Sequence, residues 1–420
     1  MRGRESIRIA MIVWDLSISG GTQRQAIELA HYLIRTGHSV RLYCAYLNRS
    51  KCYPDRLKGL DVRCLHEGDY SKSRDNLKGW ILYPPEPLFS KKARELADLI
   101  DGPVDLLNPH DFQAYRSAHY FKKKHGTPSV WMVNDLPRSL VIPKLGLGAR
   151  KRIDFFHYVL FGGPVGFHVD RARIRSMDRA VVFDRPTMEA FRERTGIEPA
   201  RMGSGLDPSA FEFRPRNGCA RKGAVSALAV GIFFPHRRFE DLLRAAKMAV
   251  ERGCDVRVTL VGTEAYEQNY ARKIHSLVSE LGLEKRVEFL GEITEEALKR
   301  LYADSDVLVF PNYPQTWGLA VFEAMASGTP VIVSTGAGAS EILRDEETAL
   351  LVPPGRPEEI ASRLRRLCED GELYAKLSRG GRKFVEENVS WDAYGKRMEM
   401  LFVDAVSASG MGRRSALEQR

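Results

Sequence analysis

The sequence is poor in cysteine and has no pattern that would pair the thiols. Its six cysteines stand far apart in 420 residues, with no CxxC pair, and a chain of this length folds without disulfide staples. We therefore expect free thiols and a cytoplasmic protein. Long apolar runs are lacking too, because no stretch of about 18 apolar residues predicts a membrane-spanning helix.

Metal-ligand patterns are equally scarce. Asp304-Ser305-Asp306 spells the DxD pattern of some metal sites, but it lies between a predicted helix and a predicted buried strand, where turn and capping chemistry is the better interpretation. No other cluster of acidic residues or histidines has metal-ligand spacing, so we predict no metal and no cofactor. The sequence also lacks a basic helix with interleaved aromatic residues, which argues against nucleic-acid binding.

The composition is otherwise that of a positively charged globular protein. Hydrophobic residues make up 44% and charged residues 28% of the chain, and the net charge is +10, which favours anionic partners without choosing among them. The length exceeds what one hydrophobic core supports, and the polar, breaker-rich stretch FRPRNGCARKG marks a boundary. We therefore predict domains at 1–210 and 211–388, and a flexible tail at 407–420.

Strand and helix patterns alternate along both halves of the chain. Ile7 to Trp14 is β-rich, Gly20-Gly21 breaks the chain, and apolar residues then recur at helical spacing up to Gly37. Ser39 to Leu47 is the next predicted strand, which completes a βαβ unit with a parallel sheet. The second half repeats this alternation, with predicted helices at 239–251, 319–326 and 357–369 and a predicted strand at 307–310. We predict an α/β protein with two doubly wound, Rossmann-like parallel sheets that face each other across a cleft.

A basic and apolar stretch lies between Arg138 and Arg175. It contains FFHYVLFGGPVGF among many Lys and Arg residues. Binding at a membrane surface requires apolar insertion together with cationic attraction. One interpretation is therefore that this stretch makes peripheral contact with an anionic membrane surface, at the inner face of the membrane. The alternative is a partly buried helix pair with a solvated basic face.

The most informative stretch is PNYPQTWGLAVFEAMASGTPVIVS, from Pro311 to Ser334. A predicted helix begins at Gly318, and the free N–H groups of Leu319 and Ala320 would point at a ligand above the strand ends. The positive end of the helix dipole favours an anion there, and a diphosphate suits it.

Two polar side chains of the same stretch suit a nucleotide sugar. Glu323 lies about one turn inside the predicted helix, where its carboxylate can accept hydrogen bonds from vicinal hydroxyls, as on a ribose. Gln315, on the preceding loop, can bind a sugar hydroxyl. The alternative for Glu323 is an ordinary surface position on an amphipathic helix.

This stretch is similar to the signature of family 4 retaining glycosyltransferases, in which a Glu, a Gly and a second Glu are followed by Ala-Met-Ala, Gly and a Pro-Val-Ile strand. Other stretches resemble family landmarks in the same order, namely SGLD at 204–207, VEFLGEI at 287–293, YADSDVLVFP at 302–311 and GASEILRDEETALLVPPGRPEEIA from Gly338. The order of the landmarks is more specific than any single motif. The resemblance runs from about residue 7 to about residue 400.

The resemblance implies the GT-B architecture, with a donor-binding second domain, an acceptor-binding first domain and a helix at 389–406 that crosses back to the first domain. It implies a nucleoside-diphosphate sugar as donor and leaves UDP-, GDP- and ADP-sugars open. The basic stretch suggests a saccharide or lipid-linked acceptor. The implied donor-binding residues are Gly20, Gly21, Gly231, Gly262, Gly291, Ile293, Gly318, Leu319, Ala320 and Glu323.

The chain departs from the family pattern at the donor site. Gln315 replaces the first Glu, so a carboxylate nucleophile is excluded there, although an amide can still hold a hydroxyl. Ile232 replaces an Arg, and the diphosphate-binding Lys of the family falls at or next to Arg237. Arg237 and Arg238 can jointly supply the charge that stabilises the leaving diphosphate. The alternative is that these arginines are simply exposed at the start of a helix.

Two residues of the first domain are further candidates. Asn134 stands where the family often has a His that contacts the donor sugar, and an asparagine can position a hydroxyl but cannot carry a proton at neutral pH. His110 follows a predicted strand end and is a candidate base. The alternative is a histidine that is packed in the core.

The resemblance therefore predicts a retaining, metal-independent glycosyltransferase of polysaccharide or glycolipid synthesis. Retention without a protein nucleophile implies that the departing phosphate accepts the acceptor proton. Two alternatives stay open. One is a catalytically inactive paralogue that binds a sugar nucleotide, and the other is a nucleotide-sugar epimerase, which would need an acid–base pair that the sequence does not display.

Overall fold

The computed structural model describes residues 6–69, 86–134, 163–219, 224–265, 267–313 and 317–418. The chain divides into two compact units. The N-terminal unit combines Met1–Gly203 with Tyr394–Arg420, and the C-terminal unit is Ser204–Ala393. The boundary that the sequence predicts after residue 210 lies slightly C-terminal to this division.

A parallel sheet forms the centre of the N-terminal unit. Its strands are β1 (Arg8–Leu16), β2 (Ser39–Leu47), β3 (Val62–Glu67), β4 (Leu106–His110), β5 (Val130–Met132), β6 (Arg179–Val182) and β7 (Ala200–Arg201). They lie in the order β3-β2-β1-β4-β5-β6-β7. Strand β1 pairs in parallel with both β2 and β4, and its central residues are buried on both faces, as parallel strands with helices on each side require.

Helices connect these strands. They are α1 (Gly21–Arg35), α2 (Pro54–Leu57), α3 (Glu86–Leu99), α4 (Asp111–His125), α5 (Gly163–Arg175) and α6 (Arg185–Thr195). Helix α1 buries one apolar face that includes Ala26, Leu29 and Leu33. Because these residues recur at helical spacing, the sequence pattern predicts this face.

The C-terminal unit also contains one parallel sheet. Its strands are β8 (Ala224–Val230), β9 (Asp255–Val261), β10 (Val287–Gly291), β11 (Val307–Phe310), β12 (Val331–Ser334) and β13 (Leu350–Val352), in the order β10-β9-β8-β11-β12-β13. Its helices are α7 (Phe239–Glu251), α8 (Gln268–Glu280), α9 (Glu295–Asp304), α10 (Leu319–Ala326), α11 (Pro357–Glu369) and α12 (Gly371–Asn388). All four residues of β11 are buried. The prediction of two Rossmann-like α/β domains with parallel sheets is confirmed.

The last helix, α13 (Trp391–Glu418), begins in the C-terminal unit and continues in the N-terminal unit, and it forms hydrogen bonds within each of them. At its start, the Trp391 N–H donates to the carbonyl of Leu206 at 3.0 Å, within the C-terminal unit. Further along, the buried Glu399 accepts hydrogen bonds from the hydroxyl of Tyr32 at 3.0 Å and from Nε2 of His38 at 3.1 Å, within the N-terminal unit. The helix extends to Glu418, into the segment where the sequence predicts a flexible tail, because extending a formed helix costs little per residue.

Candidate active site

Glycines line the carboxyl edge of the C-terminal sheet. Gly231 and Gly262 follow β8 and β9, and Gly291 ends β10, each with a positive φ. A Cβ on Gly262 would lie 2.0 Å from the carbonyl oxygen of Gly231, and one on Gly231 would lie 2.7 Å from Nε of Arg237. Only glycine fits such close approaches. Packing within the protein therefore requires glycine at 231 and 262, and the three half-buried glycines form a surface without side chains at this edge.

Arg237 lies beside this surface. It ends the short 3-10 turn Pro235–Arg237 that follows β8, and it is half-buried. Burial lowers the pKa of the Arg237 guanidinium, although an arginine stays charged at neutral pH. In the amide orientation that satisfies both groups, Asn312 accepts from Nη1 of Arg237 at 2.8 Å and donates to the Arg237 carbonyl at 3.2 Å. Asn312 belongs to the loop after β11, so this contact joins two neighbouring strand ends.

Arg238 has a different environment from Arg237. Its backbone adopts φ 52, and its guanidinium binds the carboxylate of Asp241 with both Nε at 2.5 Å and Nη2 at 3.1 Å. The hydrogen bond to Asp241 raises the pKa of Arg238. Since Asp241 neutralises Arg238, the structure distinguishes the two arginines that the sequence treats as one pair.

Helix α10 begins at this same edge. Gly318 precedes it with φ 111, and a Cβ there would lie 2.9 Å from the ring of Phe310 in β11. Leu319 and Ala320 form the first turn of the helix and are half-buried. The first N–H groups of a helix lack acceptors within it and favour an anion. Gln315 lies outside the described residues, as do its neighbours at 314 and 316.

Glu323 is held in place by a tyrosine. The hydroxyl of Tyr302, in α9, donates to Oε2 of Glu323 at 2.9 Å. Tyr302 is buried, and burial followed by the nearby Glu323 carboxylate raises the pKa of its hydroxyl. Glu323 itself is half-buried, so its carboxylate has a fixed orientation without being sealed in the core. Ile293, in the loop between β10 and α9, is also half-buried.

In the N-terminal unit, Gly20 and Gly21 form the start of α1. Gly20 is the N-cap residue, with extended backbone, and α1 begins at Gly21. A Cβ on Gly20 would lie 2.5 Å from Oε1 of Gln23, whose Nε2 donates to the carbonyl of Asp15 at 2.8 Å. The glycine therefore lets Gln23 connect the end of β1 to the start of α1.

His110 is buried at the end of β4. Its Nε2 lies 2.9 Å from Oδ1 of Asn108. Burial lowers the pKa of His110 to about 3, so the imidazole is neutral near pH 7. A general base works best when its pKa lies near the working pH. These observations favour the alternative of a packed histidine over that of a base.

Asn134 is part of a hydrogen-bonded chain after β5. Its Oδ1 accepts from the backbone N–H of Asp111 at 3.1 Å, and its Nδ2 donates to Oε1 of Gln25 at 2.6 Å. The Asp111 N–H fixes which way the Asn134 amide faces, and Asn134 in turn fixes Gln25. Asn134 is half-buried and Gln25 is fully buried. Nε2 of Gln25 has no partner within the described part of the chain.

Asp111 belongs to this hydrogen-bonded chain, and the sequence alone assigned no role to it. It has φ 68, which is unusual for a residue other than glycine. Its carboxylate accepts three backbone N–H groups, from Trp14 at 2.8 Å, Gln113 at 2.7 Å and Ala114 at 3.0 Å. Burial raises the pKa of Asp111 to about 7, and these N–H groups oppose the rise. Its position directly after a buried strand is the signal that could have found it.

Tyr302 and Asn312 are further functional candidates that the sequence did not single out. Each binds a predicted site residue, Glu323 and Arg237 respectively. Both lie in the stretch 302–313 that carries a family landmark, but a landmark does not show which side chains meet.

The two carboxylates of the DxD pattern have structural partners. Asp304 pairs with Arg214 at 2.7 Å, and the buried Asp306 accepts from the Ser226 N–H at 2.8 Å and from Arg216 at 3.2 Å. Within the described ranges, no group of three or more His, Cys, Asp or Glu side chains is arranged to hold a metal ion.

The basic and apolar stretch is described only in part. Residues 138–162 lie outside the described residues, and 163–175 forms α5. In α5, the buried Asp170 accepts from Arg116 at 2.9 Å, and Arg173 donates to the hydroxyl of Tyr120 at 2.9 Å. Among the helices that the structure describes, none is long and apolar enough to cross a bilayer.

Comparisons with known proteins give the family. Residues 213–384 match the family described as Glycosyl transferases group 1. An uncharacterised glycosyltransferase of Methanocaldococcus jannaschii is 32% identical, over 97% of this chain and 100% of that protein. A D-inositol 3-phosphate glycosyltransferase of Salinispora arenicola is 31% identical, over 93% of this chain and 89% of that protein.

Solved structures show the same fold. The structure of Anabaena Alr3699/HepE in complex with UDP matches with a TM-score of 0.68 and 17% identity, over 95% of this chain and 100% of that one. The sucrose-phosphate synthase of Thermosynechococcus elongatus matches with a TM-score of 0.66 and 19% identity, over 96% of this chain and 100% of that one. The chain belongs to the group 1 glycosyl transferases and has the GT-B fold.

Proposed function

We propose that this protein transfers a sugar from a nucleoside-diphosphate sugar to an acceptor hydroxyl, with retention of anomeric configuration. The observation that carries the proposal is the carboxyl edge of the C-terminal sheet. There, a bare glycine surface, the Arg237 guanidinium and the start of α10 come together. Bare backbone, a cation and free helix N–H groups are what a diphosphate needs.

The donor residues take separate roles in this proposal. Arg237 and the first N–H groups of α10 bind the diphosphate and stabilise its charge as it leaves. Glu323, oriented by Tyr302, accepts hydrogen bonds from the ribose hydroxyls. Because Arg237 supplies the positive charge, no metal ion is required for the departure of the leaving group.

UDP-sugars are the first donors to test. The HepE protein of Anabaena has been solved in complex with UDP and with UDP-glucose. GDP- and ADP-sugars remain in the panel, since the sequence leaves the base of the donor open.

Retention follows in this proposal from a front-side mechanism, as the resemblance to family 4 implies. Gln315 is an amide and cannot form a glycosyl ester. The departing phosphate would instead accept the proton of the acceptor hydroxyl. Asn134 would position a hydroxyl group, because an amide offers both a donor and an acceptor.

The N-terminal unit would bind the acceptor, and we propose a saccharide or a lipid-linked saccharide in polysaccharide or glycolipid synthesis. The basic and apolar stretch at 138–175 supports the lipid-linked form, with the enzyme in the cytoplasm at the inner membrane face. Curated relatives are named for D-inositol 3-phosphate, so this phosphorylated cyclitol belongs in the acceptor panel.

The proposal is tested by incubating the purified protein with UDP-, GDP- and ADP-sugars and following thermal stability and the release of nucleoside diphosphate. We expect one donor to stabilise the protein and to be hydrolysed slowly, and NMR of the glycoside formed when an acceptor is added to show the retained anomer. Arg237→Ala and Glu323→Ala should lose both effects. Binding without release, even with acceptors present, would favour an inactive sugar-nucleotide-binding protein, and a changed sugar configuration in the recovered donor would favour an epimerase.

A further inference from the structure

An exposed tyrosine lies at the same edge of the C-terminal sheet. Six large hydrophobic side chains are exposed among the described residues, and Phe213 and Tyr313 are those in the C-terminal unit. Tyr313 is 51% exposed and lies in the loop after β11. The exposed ring leaves apolar surface that a ligand could cover, and covering it would be favourable.

The ring of Tyr313 has a fixed place. Its backbone N–H donates to the carbonyl of His236 at 2.7 Å. Its ring packs on Gly336, which follows β12, because a Cβ on Gly336 would lie 2.2 Å from Cδ2 of Tyr313. Any larger residue at 336 would push the ring away. The ring is thus held against Gly336, while about half of the residue stays open to solvent.

Tyr313 is a direct neighbour of the proposed diphosphate site. His236, which binds its N–H, precedes Arg237, and Asn312, which precedes Tyr313, binds Arg237. The transferred sugar is bonded to the phosphate that Arg237 would hold. Because these two contacts join the Tyr313 backbone and its neighbour to Arg237 and its neighbour, a sugar on that phosphate would lie close to the Tyr313 side chain.

Sugar rings suit an aromatic surface. Their C–H groups form apolar faces that pack against aromatic rings, and tyrosine combines a large apolar surface with a polar hydroxyl at its edge. We propose that the ring of Tyr313 is the surface on which the transferred sugar of the donor packs. This inference rests on the proposed function and assigns a sugar-binding residue to the same site.

Binding measurements can separate the sugar from the nucleotide. Calorimetric titrations would use UDP-glucose and UDP first, then GDP-mannose with GDP and ADP-glucose with ADP. For the pair that binds, we expect Tyr313→Ala to weaken binding of the nucleotide sugar about 3- to 10-fold and to leave binding of the nucleoside diphosphate unchanged. Tyr313→Phe keeps the ring and should bind both ligands as the wild type does.

Phe213 provides a matched control. It is 37% exposed and packs on Gly328, as Tyr313 packs on Gly336, but near the C-terminal end of α10. Phe213→Ala should bind both ligands normally. Unchanged diphosphate binding also shows that Tyr313→Ala is folded.

The outcomes distinguish this inference from the proposed function. Equal weakening of both ligands, no weakening of either, or a loss in Tyr313→Phe as large as in Tyr313→Ala would overturn the role of the ring. An increase in KM for the acceptor alone would also overturn it. If the wild type binds no nucleotide sugar at all, the proposed function itself fails.

Discussion

The hydroxyl of Tyr302 donates a hydrogen bond of 2.9 Å to Oε2 of Glu323. The two residues lie on consecutive helices, α9 and α10, and the buried strand β11 comes between these helices in the sequence. Tyr302 is buried while Glu323 is half-buried. The tyrosine therefore fixes one oxygen of a half-buried carboxylate.

Tyr302→Phe should weaken donor binding without unfolding the protein. Phenylalanine keeps the packing of the ring but leaves Glu323 without this donor, so the carboxylate must be ordered when the ligand binds, which costs about 0.5–1.5 kcal/mol. We therefore expect donor affinity to fall about 3- to 10-fold. Calorimetric titration with the donor measures the change.

Tyr374→Phe is the matched control. The Tyr374 hydroxyl is buried in the same unit and donates to the carbonyl of Asp306 at 2.9 Å. Both variants should lose about 1 kcal/mol of unfolding free energy, but only Tyr302→Phe should bind the donor more weakly. Equal donor affinity in the two variants would show that the Tyr302 contact is merely structural.

Arg237 and Arg238 should respond differently to removal. Arg237→Ala should reduce turnover about 10²- to 10³-fold, because it deletes a charge that stabilises the leaving group. Arg238→Ala leaves the carboxylate of Asp241, 3% exposed, without its guanidinium partner, so it should cost about 1–2 kcal/mol of stability. Steady-state kinetics and urea unfolding on both variants give the comparison. A larger loss of turnover in Arg238→Ala would assign the clamp to Arg238 instead.

Gly262, which follows β9, and Gly291, which ends β10, should differ in their tolerance of alanine. A Cβ on Gly262 meets the carbonyl oxygen of Gly231, whereas one on Gly291 has nothing within 4 Å. Gly291→Ala should cost about 1–2 kcal/mol for its left-handed φ of 63°. Gly262→Ala should cost more than about 3 kcal/mol and should distort the glycine surface. Similar unfolding midpoints for the two variants would contradict this account.

Local patterns of the sequence predict the fold well. The predicted helices at 239–251, 319–326 and 357–369 and the predicted strands at 39–47 and 307–310 agree with the structure at both ends. Helical periodicity and short buried apolar runs are set by neighbouring residues, so they can be read from the sequence. The two-sheet α/β class follows from the alternation of these elements.

The contacts of the site could not be predicted in the same way. Adjacent Arg237 and Arg238 look alike in sequence, and they differ because the left-handed backbone of Arg238 turns its side chain to Asp241. The Tyr302–Glu323 hydrogen bond depends on how α9 and α10 pack, which no local pattern records. The chain from Asp111 through Asn134 to Gln25 joins residues that are far apart in sequence, so strand order had to be known first.

The buried carboxyl group of Asp111 should make stability depend on pH. Its folded-state pKa is about 7, whereas an unfolded aspartate has a pKa of about 3.9. Between these values the folded state holds a proton that the unfolded state releases, so stability falls as pH rises through this window and levels off above it. Asp15 interacts with Asp111 and its own pKa is raised by burial, which adds a slope of the same sign.

Urea unfolding of the wild type and Asp111→Asn from pH 5 to pH 8 isolates the Asp111 contribution, because Asp15 is present in both. We expect the stability difference between wild type and variant to fall by up to about 1.4 kcal/mol per pH unit between pH 5 and pH 7. Parallel curves across this range would show that the three backbone N–H groups keep Asp111 ionised despite its burial.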